Sequence, residues 1–405
     1  MRERFLFWEN PKDAILTITL LLMVIGAVNV FSASFVRAAD MMGTPYYFLI
    51  RYIGYGVFGL LIFWFFGYRY NYKNLMSERF ATILIGVSLL SLVATLLFGT
   101  VVNGSRRWLY LAGVSLQPSE IAKAAVILIA ASLLGERLQK GLPVSLIGWP
   151  GNKSLAFALA CGYLIYKQPD MGTAAIVLSL MLGMYILAGI PAKQVAGLIA
   201  IAGVGMSVLA VLAPYRLKRV LLWLNPWADA QGGGYQMAQS LLAIGSGGLT
   251  GVPWGQGSGK FFYLPEAHTD FAFAIFCQEW GFIGALFLIA CFVTLACALF
   301  RIAMRTRDKR GYLLVAGASL FLIGQAAANM AMVSGVLPVI GVPLLFISYG
   351  GTAMVINLFV LGLVISVYRS EAARELREER IAAGLPPTEK DDIRIVASNR
   401  YRRRF

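Results

Sequence analysis

Charged residues are scarce in this sequence of 405 residues. Asp, Glu, Lys and Arg make up 14% of the chain, whereas a soluble globular domain carries about a quarter of such residues. Hydrophobic residues account for 59%, and the polar residues are clustered, so that long apolar runs lie between them. This composition excludes an ordinary soluble domain and predicts an all-α polytopic membrane protein.

Histidine and cysteine, which often bind transition metals, are also rare. The chain has one histidine, His268, and four cysteines, each of which lies in an apolar segment without metal-ligand spacing. The cysteines are interpreted as small buried hydrophobic residues. No Ser-His-Asp arrangement and no cluster of metal ligands is readable in the sequence, which disfavours a hydrolase or a metalloenzyme.

The glycine-rich segment 232–259 lacks the pattern of a nucleotide-binding loop. It contains ten glycines and is followed by Lys260, but a P-loop requires G-x-x-x-x-G-K-[ST]. Trp254 occupies the first glycine position, and Phe261 replaces the serine or threonine. The glycines are interpreted as sites of tight turns and close backbone approach, with binding of a lipid phosphate as the open alternative. Lys260 is a candidate substrate-binding residue.

The apolar runs predict a bundle of ten transmembrane helices formed by residues 1–368. No cleavable signal peptide is expected, because the first apolar run is long enough to cross a bilayer and no small-residue cleavage site follows a short hydrophobic core. The spans are predicted near 13–35, 46–67, 79–99, 119–136, 154–168, 171–189, 194–213, 269–300, 312–333 and 343–368.

The positions of lysine and arginine predict the orientation of these spans. Positive charge is retained on the cytoplasmic side, and an even number of spans places both termini together. The side of the termini then collects most of the 35 Lys and Arg residues, including a basic tail at 369–405. Both termini are therefore predicted to be cytoplasmic, and the long loop at about 214–268, between spans 7 and 8, extracytoplasmic. Basic residues at membrane boundaries favour attraction to anionic membrane lipids and disfavour nucleic-acid binding.

Charged residues near the fourth span are candidates for a substrate site. Pro118 is expected to begin a helix, and Glu120 and Lys123, three residues apart, share one face of it. These two residues form either a mutually neutralising structural pair or the polar wall of a cavity. Arg106 and Arg107 lie in the preceding outer loop, where they and Lys123 are suited to hold an anionic head group.

Two carboxylates and the single histidine lie at predicted outer span boundaries. Asp170, in KQPDMGTA, is a candidate substrate-binding residue that is also positioned to cap a helix that starts near Met171. Asp270 either caps the eighth span, a role that Thr269 could also fill, or acts as a general base with a raised pKa between an apolar helix and an aqueous cleft. His268 is a secondary candidate for orienting the site or titrating near neutral pH.

Several long motifs give this sequence a family resemblance. They are NGSRRWLYLAGVSLQPSEIAK, KQPDMGTA, NPWADAQGGGYQMAQSLLAIGSGGLTG, YLPEAHTDFAFAIFCQEWGFIG and MVSGVLPVIGVPLLFISYGGTA. Through them the sequence resembles the SEDS family of RodA, FtsW and SpoVE over nearly the whole predicted membrane region. The resemblance implies a ten-helix bundle with cytoplasmic termini, which agrees with the count from hydropathy.

The resemblance also implies a peptidoglycan glycosyltransferase of the bacterial cytoplasmic membrane. Such enzymes polymerise lipid II outside that membrane and release undecaprenyl pyrophosphate. The essential aspartate of the family's H-T-D-F motif corresponds to Asp270. The Q-P-S-E-x-x-K helix and the basic residues before the tryptophan correspond to Gln117, Pro118, Ser119, Glu120, Lys123, Arg106 and Arg107.

The resemblance implies a partner, a class B penicillin-binding protein whose transmembrane helix docks on the bundle. Negative charge on the leaving group could be stabilised by the basic residues or by a divalent cation, Mg²⁺ or Mn²⁺. The motifs PEAHTDF and NPWADAQGGGYQ look more like FtsW and SpoVE, whereas IGSGGLTG and MVSGVLPVIGVPL look more like RodA. The sequence is interpreted as slightly more similar to RodA, an enzyme of cell elongation.

Two other functions are carried as alternatives. A lipid II flippase or transporter needs polar groups through the membrane midplane and often has an inverted repeat. The sequence shows no convincing repeat, and its ionisable groups gather at the outer edge, which favours chemistry at the surface. The second alternative is a non-catalytic scaffold of the wall-synthesis complex.

Overall fold

The fold is described by a computed structural model. It covers residues 10–384 except 103, 112, 147–151, 201–202, 204–220, 254 and 262. Residues 192–200 are helical and end at one of these gaps. The labelled helices are α1 (Pro11–Met42), α2 (Tyr47–Trp64), α3 (Glu78–Phe98), α4 (Pro118–Gln139), α5 (Asn152–Lys167), α6 (Met171–Leu187), α7 (Tyr235–Ser246), α8 (Ala272–Arg305), α9 (Lys309–Val333) and α10 (Gly351–Ala382).

Residues with clear local preferences begin three of these helices. Pro118 occupies the first turn of α4, where its missing N–H costs no hydrogen bond. The Asp170 carboxylate accepts a hydrogen bond from the backbone N–H of Thr173 at 3.1 Å, which confirms that this aspartate caps α6. Asp308 caps α9 in the same way, through the N–H of Gly311 at 2.9 Å.

Six of the described helices are long and apolar enough to cross a membrane: α1, α2 with its continuation to Arg69, α3, α8, α9 and α10. A helix satisfies its own backbone hydrogen bonds, which is the requirement for crossing lipid. The chain is therefore a multi-pass membrane protein. The number of ten spans stays a prediction, since most of the span at 194–213 lies outside the described residues.

Helix α10 packs closely against α2 because glycines face the contact. A Cβ added at Gly362 would lie 2.9 Å from the carbonyl oxygen of Phe63, so the two backbones approach as small residues allow in membranes. Apolar side chains on the outer faces of α2 and α3 stay exposed, such as Phe58 at 56% and Leu90 at 70%. These faces are suited to contact lipid.

A small antiparallel sheet corrects the expectation of an all-α fold. Its strands are β1 (Thr100–Val102), β2 (Ser105–Leu111) and β3 (Val114–Leu116), in the order β1-β2-β3. Thr100 lies opposite Trp108, and Leu109 lies opposite Leu116. The sheet carries the Arg106-Arg107 pair to the start of α4. Its strands are too short and too close in sequence to stand out within a predicted loop.

The glycine-rich loop packs against a break in α8. At Gly281 the backbone leaves the helical conformation, with φ 65° and ψ −167°. The freed N–H of Phe282 donates to the carbonyl of Gly248 at 2.9 Å, and the N–H of Val252 donates to Gln278 at 2.9 Å. A Cβ at Gly251 would overlap the carbonyl of Glu279. Close backbone approach, which the sequence predicted for glycines of this segment, is therefore the role of Gly251.

The final span begins later than predicted. Helix α10 starts at Gly351 rather than near 343, because residues 334–350 form a non-helical loop. Pro338 and Pro343 in this loop lack backbone N–H groups and disfavour helix at the residues before them. At its other end α10 continues to Ala382, so the first part of the predicted tail is helical and continuous with the last span. Residues 385–405 lie outside the described part.

Candidate active site

Asp270 is held in a tight turn just before α8. The carboxylate of Glu266 accepts a hydrogen bond from Thr269 Oγ1 at 2.8 Å, and the Glu266 carbonyl accepts one from the N–H of Phe271 at 3.2 Å. The N-cap of α8 is Phe271, and no side chain makes a capping hydrogen bond there. The alternative that Asp270 or Thr269 caps this helix is therefore wrong. The half-buried Asp270 side chain is left for another role.

Asp170 and Arg107 form an ion pair close to Asp270. Arg107 Nε lies 3.6 Å from Asp170 Oδ2, and Arg107 Nη2 donates to the carbonyl of Pro169 at 2.6 Å. Asp170 is almost fully buried, whereas 31% of the Arg107 side chain is exposed. Part of the Arg107 side chain is therefore open to solvent or a ligand. Capping of α6 and pairing with Arg107 are both roles of the same aspartate.

Glu120 and Lys123 form a buried ion pair in the first turns of α4. The Nζ of Lys123 lies 2.7 Å from Glu120 Oε1 and donates to Gln325 Oε1 at 2.8 Å. Both side chains are almost completely buried, so the pair is dehydrated and each member depends on the other. The second carboxylate oxygen of Glu120 has no hydrogen-bond partner in the part of the chain that the structure describes.

Two amide side chains of α9 connect this pair to Asp270. Gln325 donates to the carbonyl of Pro343 at 3.2 Å. Asn329, one turn later, donates to the carbonyls of Val342 at 2.6 Å and Asp270 at 2.7 Å. These hydrogen bonds hold the loop at 340–343 between Asp270 and the Glu120–Lys123 pair. A Cβ added at Gly341 would lie 3.5 Å from Asp270 Oδ2.

The sequence interpretation did not include Gln325 and Asn329 in the site. They are polar residues four positions apart within an apolar span, so they lie on one face of the helix. Polar residues inside a span usually face a cavity or another polar group. Their spacing in the sequence was the signal that could have identified both residues as part of the site.

Burial raises the pKa of the Asp270 carboxyl group. Removal of the carboxylate from water raises the pKa of Asp270 from 3.8 to about 7, an effect to which the nearby carboxylates of Glu266 and Asp170 contribute and which Arg107 opposes. At neutral pH a large fraction of Asp270 is therefore ionised, and its conjugate acid is also accessible. A carboxylate with a pKa near the working pH is well matched to general-base chemistry.

His268 does not titrate near neutral pH, contrary to one of the expectations for it. Burial lowers the pKa of His268 to about 4 despite the opposing charge of Glu266. The imidazole packs against Phe48, with 4.5 Å between ring centroids, and near Tyr349. The His268 carbonyl accepts the N–H of Tyr349 at 2.8 Å. The neutral ring therefore positions the turn that precedes Asp270.

Lys260, a candidate substrate-binding residue, lies in an internal ion pair. Its Nζ lies 2.5 Å from Glu279 Oε1 and donates to Ser32 Oγ at 3.1 Å. Both charged side chains are buried. Glu279 lies about two turns into α8, so this pair joins the glycine-rich loop to α1 and α8. The sequence alone could not show that Glu279 neutralises the charge of Lys260.

The structure separates the remaining predicted residues. Arg106 and Arg107 are neighbours on β2, so their side chains project to opposite faces of the sheet. Arg106 is exposed and donates a hydrogen bond to the carbonyl of Leu96 at 3.3 Å. Gln117 lies at the N-cap of α4, where its backbone N–H donates to Thr352 Oγ1 at 3.1 Å. Arg107 is thus the guanidinium that the fold brings to the Asp170–Asp270 cluster.

The described residues contain no group of three or more His, Cys, Asp or Glu side chains placed to hold a metal ion. Asp170 already pairs with Arg107 and accepts a hydrogen bond from Thr173 Oγ1 at 2.9 Å. A magnesium ion often uses one or two carboxylates together with substrate phosphates. The expectation of Mg²⁺ or Mn²⁺ stays a prediction.

Sequence comparison places the chain among proteins of known type. The family model FTSW_RODA_SPOVE, described as cell cycle protein, matches residues 12–373. The chain is 37% identical over 357 residues to "Probable peptidoglycan glycosyltransferase FtsW" of Coxiella burnetii, which covers 87% of this chain and 95% of the relative. It is 36% identical over 363 residues to "Stage V sporulation protein E" of Bacillus subtilis, which covers 89% and 97%.

Solved structures share the fold. One, described as "Structural coordination of polymerization and crosslinking by a peptidoglycan synthase complex", matches with a TM-score of 0.73 and 29% identity over 88% of this chain and 97% of that chain. The rod shape determining protein RodA of Thermus thermophilus matches with a TM-score of 0.63 and 27% identity over 88% and 96%. The relatives include FtsW, SpoVE and RodA, so the preference for RodA stays a prediction. The chain belongs to the FtsW, RodA and SpoVE family of cell cycle proteins.

Proposed function

We propose that this protein is a peptidoglycan glycosyltransferase that polymerises lipid II into glycan strands. Membership of the family supports the proposal, as do relatives named peptidoglycan glycosyltransferase. The observation that carries it is the cluster in which a half-buried carboxylate of raised pKa, Asp270, lies near the partly exposed side chain of Arg107. One group is suited to accept a proton and the other to hold an anion.

The proposed reaction is an inverting glycosyl transfer. Asp270 accepts the proton of the C4 hydroxyl of the acceptor N-acetylglucosamine, and the oxygen forms a bond to the anomeric carbon of the donor N-acetylmuramic acid. The bond from this carbon to undecaprenyl pyrophosphate breaks, and the pyrophosphate takes up the electron pair. General-base assistance of this kind typically contributes about 10²–10⁴-fold.

The leaving pyrophosphate needs cationic stabilisation. Arg107 is the best placed of the candidates because its side chain is partly exposed beside Asp270. Lys123 is fully buried and already paired with Glu120, so its proposed role is to hold the wall of the site rather than to grip the leaving group directly. A divalent cation, when bound, would add positive charge at the pyrophosphate oxygens.

The proposed location of the chemistry is the extracytoplasmic side of the bacterial cytoplasmic membrane. The distribution of Lys and Arg supports this orientation, because Asp270 lies just before one end of α8 and the basic segment 301–311 lies at its other end. The proposed partner is a class B penicillin-binding protein. Its support is the match to a peptidoglycan synthase complex described as coordinating polymerization and crosslinking.

The test is polymerisation of labelled lipid II by the purified protein in detergent. The wild type is expected to form glycan chains at a rate that rises with pH through about 7, because the base must be ionised. The Asp270→Asn variant is expected to lose at least about 100-fold of this rate. The matched control is Asp40→Asn, since Asp40 is an exposed aspartate at the end of α1. Polymerisation by Asp270→Asn at the wild-type rate would refute the role of Asp270.

The same purified protein also distinguishes the two alternative functions, a flippase and a scaffold. A flippase would give no glycan product in detergent but would move lipid II head groups across a vesicle membrane. A scaffold would do neither, and cells carrying Asp270→Ala would grow normally. Thermal unfolding of each variant shows whether a loss of rate reflects a loss of folded protein.

A further inference from the structure

A basic cavity lies at the other end of the bundle from Asp270. Its volume is about 360 Å³, within the range of sites that bind small ligands. One wall is the segment that follows α2, and the other is α10 from Ser366 onward. The basic side chains that line it are Arg69, Lys73, Arg369, Arg374 and Arg377.

The cavity is remote from the candidate active site. Helix α2 begins beside the active site, where Phe48 packs on His268, and its helical continuation ends at Arg69. A helix of this length extends for about 33 Å, roughly the thickness of a bilayer core. The cavity therefore has no part in the chemistry proposed for Asp270.

Hydrogen bonds between its two walls hold the cavity in shape. Ser366 Oγ donates to the carbonyl of Tyr70 at 2.8 Å and accepts from the N–H of Tyr72 at 3.0 Å. Arg369 Nη1 donates to the carbonyl of Gly67 at 3.0 Å. Because both walls are fixed to one another, the basic side chains are arranged before any ligand arrives, which lowers the entropic cost of binding.

The cavity has an excess of positive charge. None of its lining residues is acidic in the described structure. Arg374 is paired on its own helix with Glu371 at 2.9 Å and with Glu378 at 3.5 Å, which neutralises part of the charge. Arg69 lies over the ring of Trp64 at 5.3 Å, and Lys73 is exposed at the rim. An anion is therefore the ligand that matches this lining.

An exposed apolar strip on α2 and its helical continuation leads to the cavity. Leu61, Trp64 and Phe65 are exposed at 61%, 49% and 46%, and they precede Arg69 on the same helix. Aromatic residues of this kind collect at the membrane–water interface. A phosphate bound among the basic residues could therefore have acyl chains lying along this strip, a geometry that a soluble phosphate does not use.

We propose that this cavity binds the phosphate head group of an anionic phospholipid. Basic pockets between transmembrane helices are known to hold such head groups. The basic side chains neutralise the phosphate, and Leu61, Trp64 and Phe65 contact the acyl chains. The positions of Lys and Arg predict that this end of the bundle faces the cytoplasm, where the lipid would join the end of α2 to α10.

The test measures lipid retained by the purified protein in detergent, by native mass spectrometry after addition of phosphatidylglycerol or phosphatidylcholine. The wild type is expected to retain phosphatidylglycerol at least about tenfold better. The double variant Lys73→Gln/Arg377→Gln removes two lining charges and is expected to weaken this retention by about tenfold or more. The control Arg305→Gln/Lys309→Gln removes the same charge from residues outside the cavity and is expected to retain the lipid as the wild type does.

Three results would overturn the proposal. Equal retention of the two lipids, or equal losses in both double variants, would mean that binding is not selective for the cavity. Binding of inorganic phosphate or pyrophosphate to lipid-free protein, with no preference for phosphatidylglycerol, would assign the cavity to a soluble anion. If the double variant unfolds at a lower temperature than the control, Arg69→Gln provides the second test.

Discussion

Replacement of Asp270 by asparagine is expected to change how stability depends on pH. Burial, with the carboxylates of Glu266 and Asp170, raises the pKa of Asp270 from 3.8 to about 7. A carboxyl group with a higher pKa in the native protein binds its proton more tightly there than in the unfolded chain. The native state is therefore favoured at low pH and loses stability as the pH rises from about 4 to about 7.

The size of this effect follows from the pKa difference. The change from 3.8 to about 7 corresponds to about 4 kcal/mol at full ionisation, of which about 2.3 kcal/mol falls between pH 5 and pH 7. Partial exposure of Asp270 allows solvent to reduce these values. Burial lowers the pKa of His268 to about 4 and gives a slope of opposite sign, but this slope is present in both proteins.

The assay is thermal unfolding of the purified wild type and Asp270→Asn variant in one detergent from pH 5 to pH 8. As the pH rises over this range, the Asp270→Asn variant is expected to gain about 1–3 kcal/mol in unfolding free energy relative to the wild type. The exposed Asp40→Asn control is expected to run parallel to the wild type. Parallel curves for Asp270→Asn as well, or a shift toward aspartate at pH 8, would refute the view that this carboxyl is desolvated.

Three other variants are expected to separate local roles. Lys123→Met leaves the buried carboxylate of Glu120 without its cation and is expected to cost about 3–5 kcal/mol in thermal unfolding. Arg107→Gln is expected to lower lipid II polymerisation at least about tenfold, and Arg106→Gln less than about threefold, because Arg107 is the one near Asp270. Gly281→Ala places a side chain at φ 65° and is expected to cost at least about 1–3 kcal/mol.

Each of these has its own control. Adding Glu120→Gln to Lys123→Met is expected to restore much of the stability, and a double variant as unstable as the single one would contradict the ion-pair argument. Equal effects of the two arginine variants would contradict the assignment of Arg107. Gly324→Ala, where a Cβ meets nothing within 4 Å, is expected to leave the unfolding temperature unchanged or to raise it.

Hydropathy predicted the membrane helices well because lipid leaves the backbone few alternatives. The span predicted at 79–99 is α3, Glu78–Phe98, and the span predicted at 312–333 is α9, Lys309–Val333. Errors arose where residues fold at the bundle ends, outside that constraint. The sequence predicted a simple loop where β1–β3 form a sheet. It predicted the start of a helix within the loop at 334–350.

Contacts within one helical turn were also predictable. Asp170 reaches the N–H three residues later, and Glu120 reaches Lys123 at the same spacing. Helix geometry alone brings such side chains together. The pairing of Lys260 with Glu279 was not predictable, because it depends on how the glycine-rich loop folds against the break at Gly281.

Residue order alone therefore indicates most of the apolar helices, the Asp170 cap and the shared helix face of Glu120 and Lys123, since each depends on neighbours within a few positions. Packing of the helices chooses which ionisable groups share a site. It brings Arg107 and Asp170 near Asp270, 163 and 100 positions later, and leaves Arg106 and Lys260 elsewhere. It also removes much of the water around the Asp270 carboxylate, and the rise of its pKa to about 7 comes from that burial and from the carboxylates of Glu266 and Asp170.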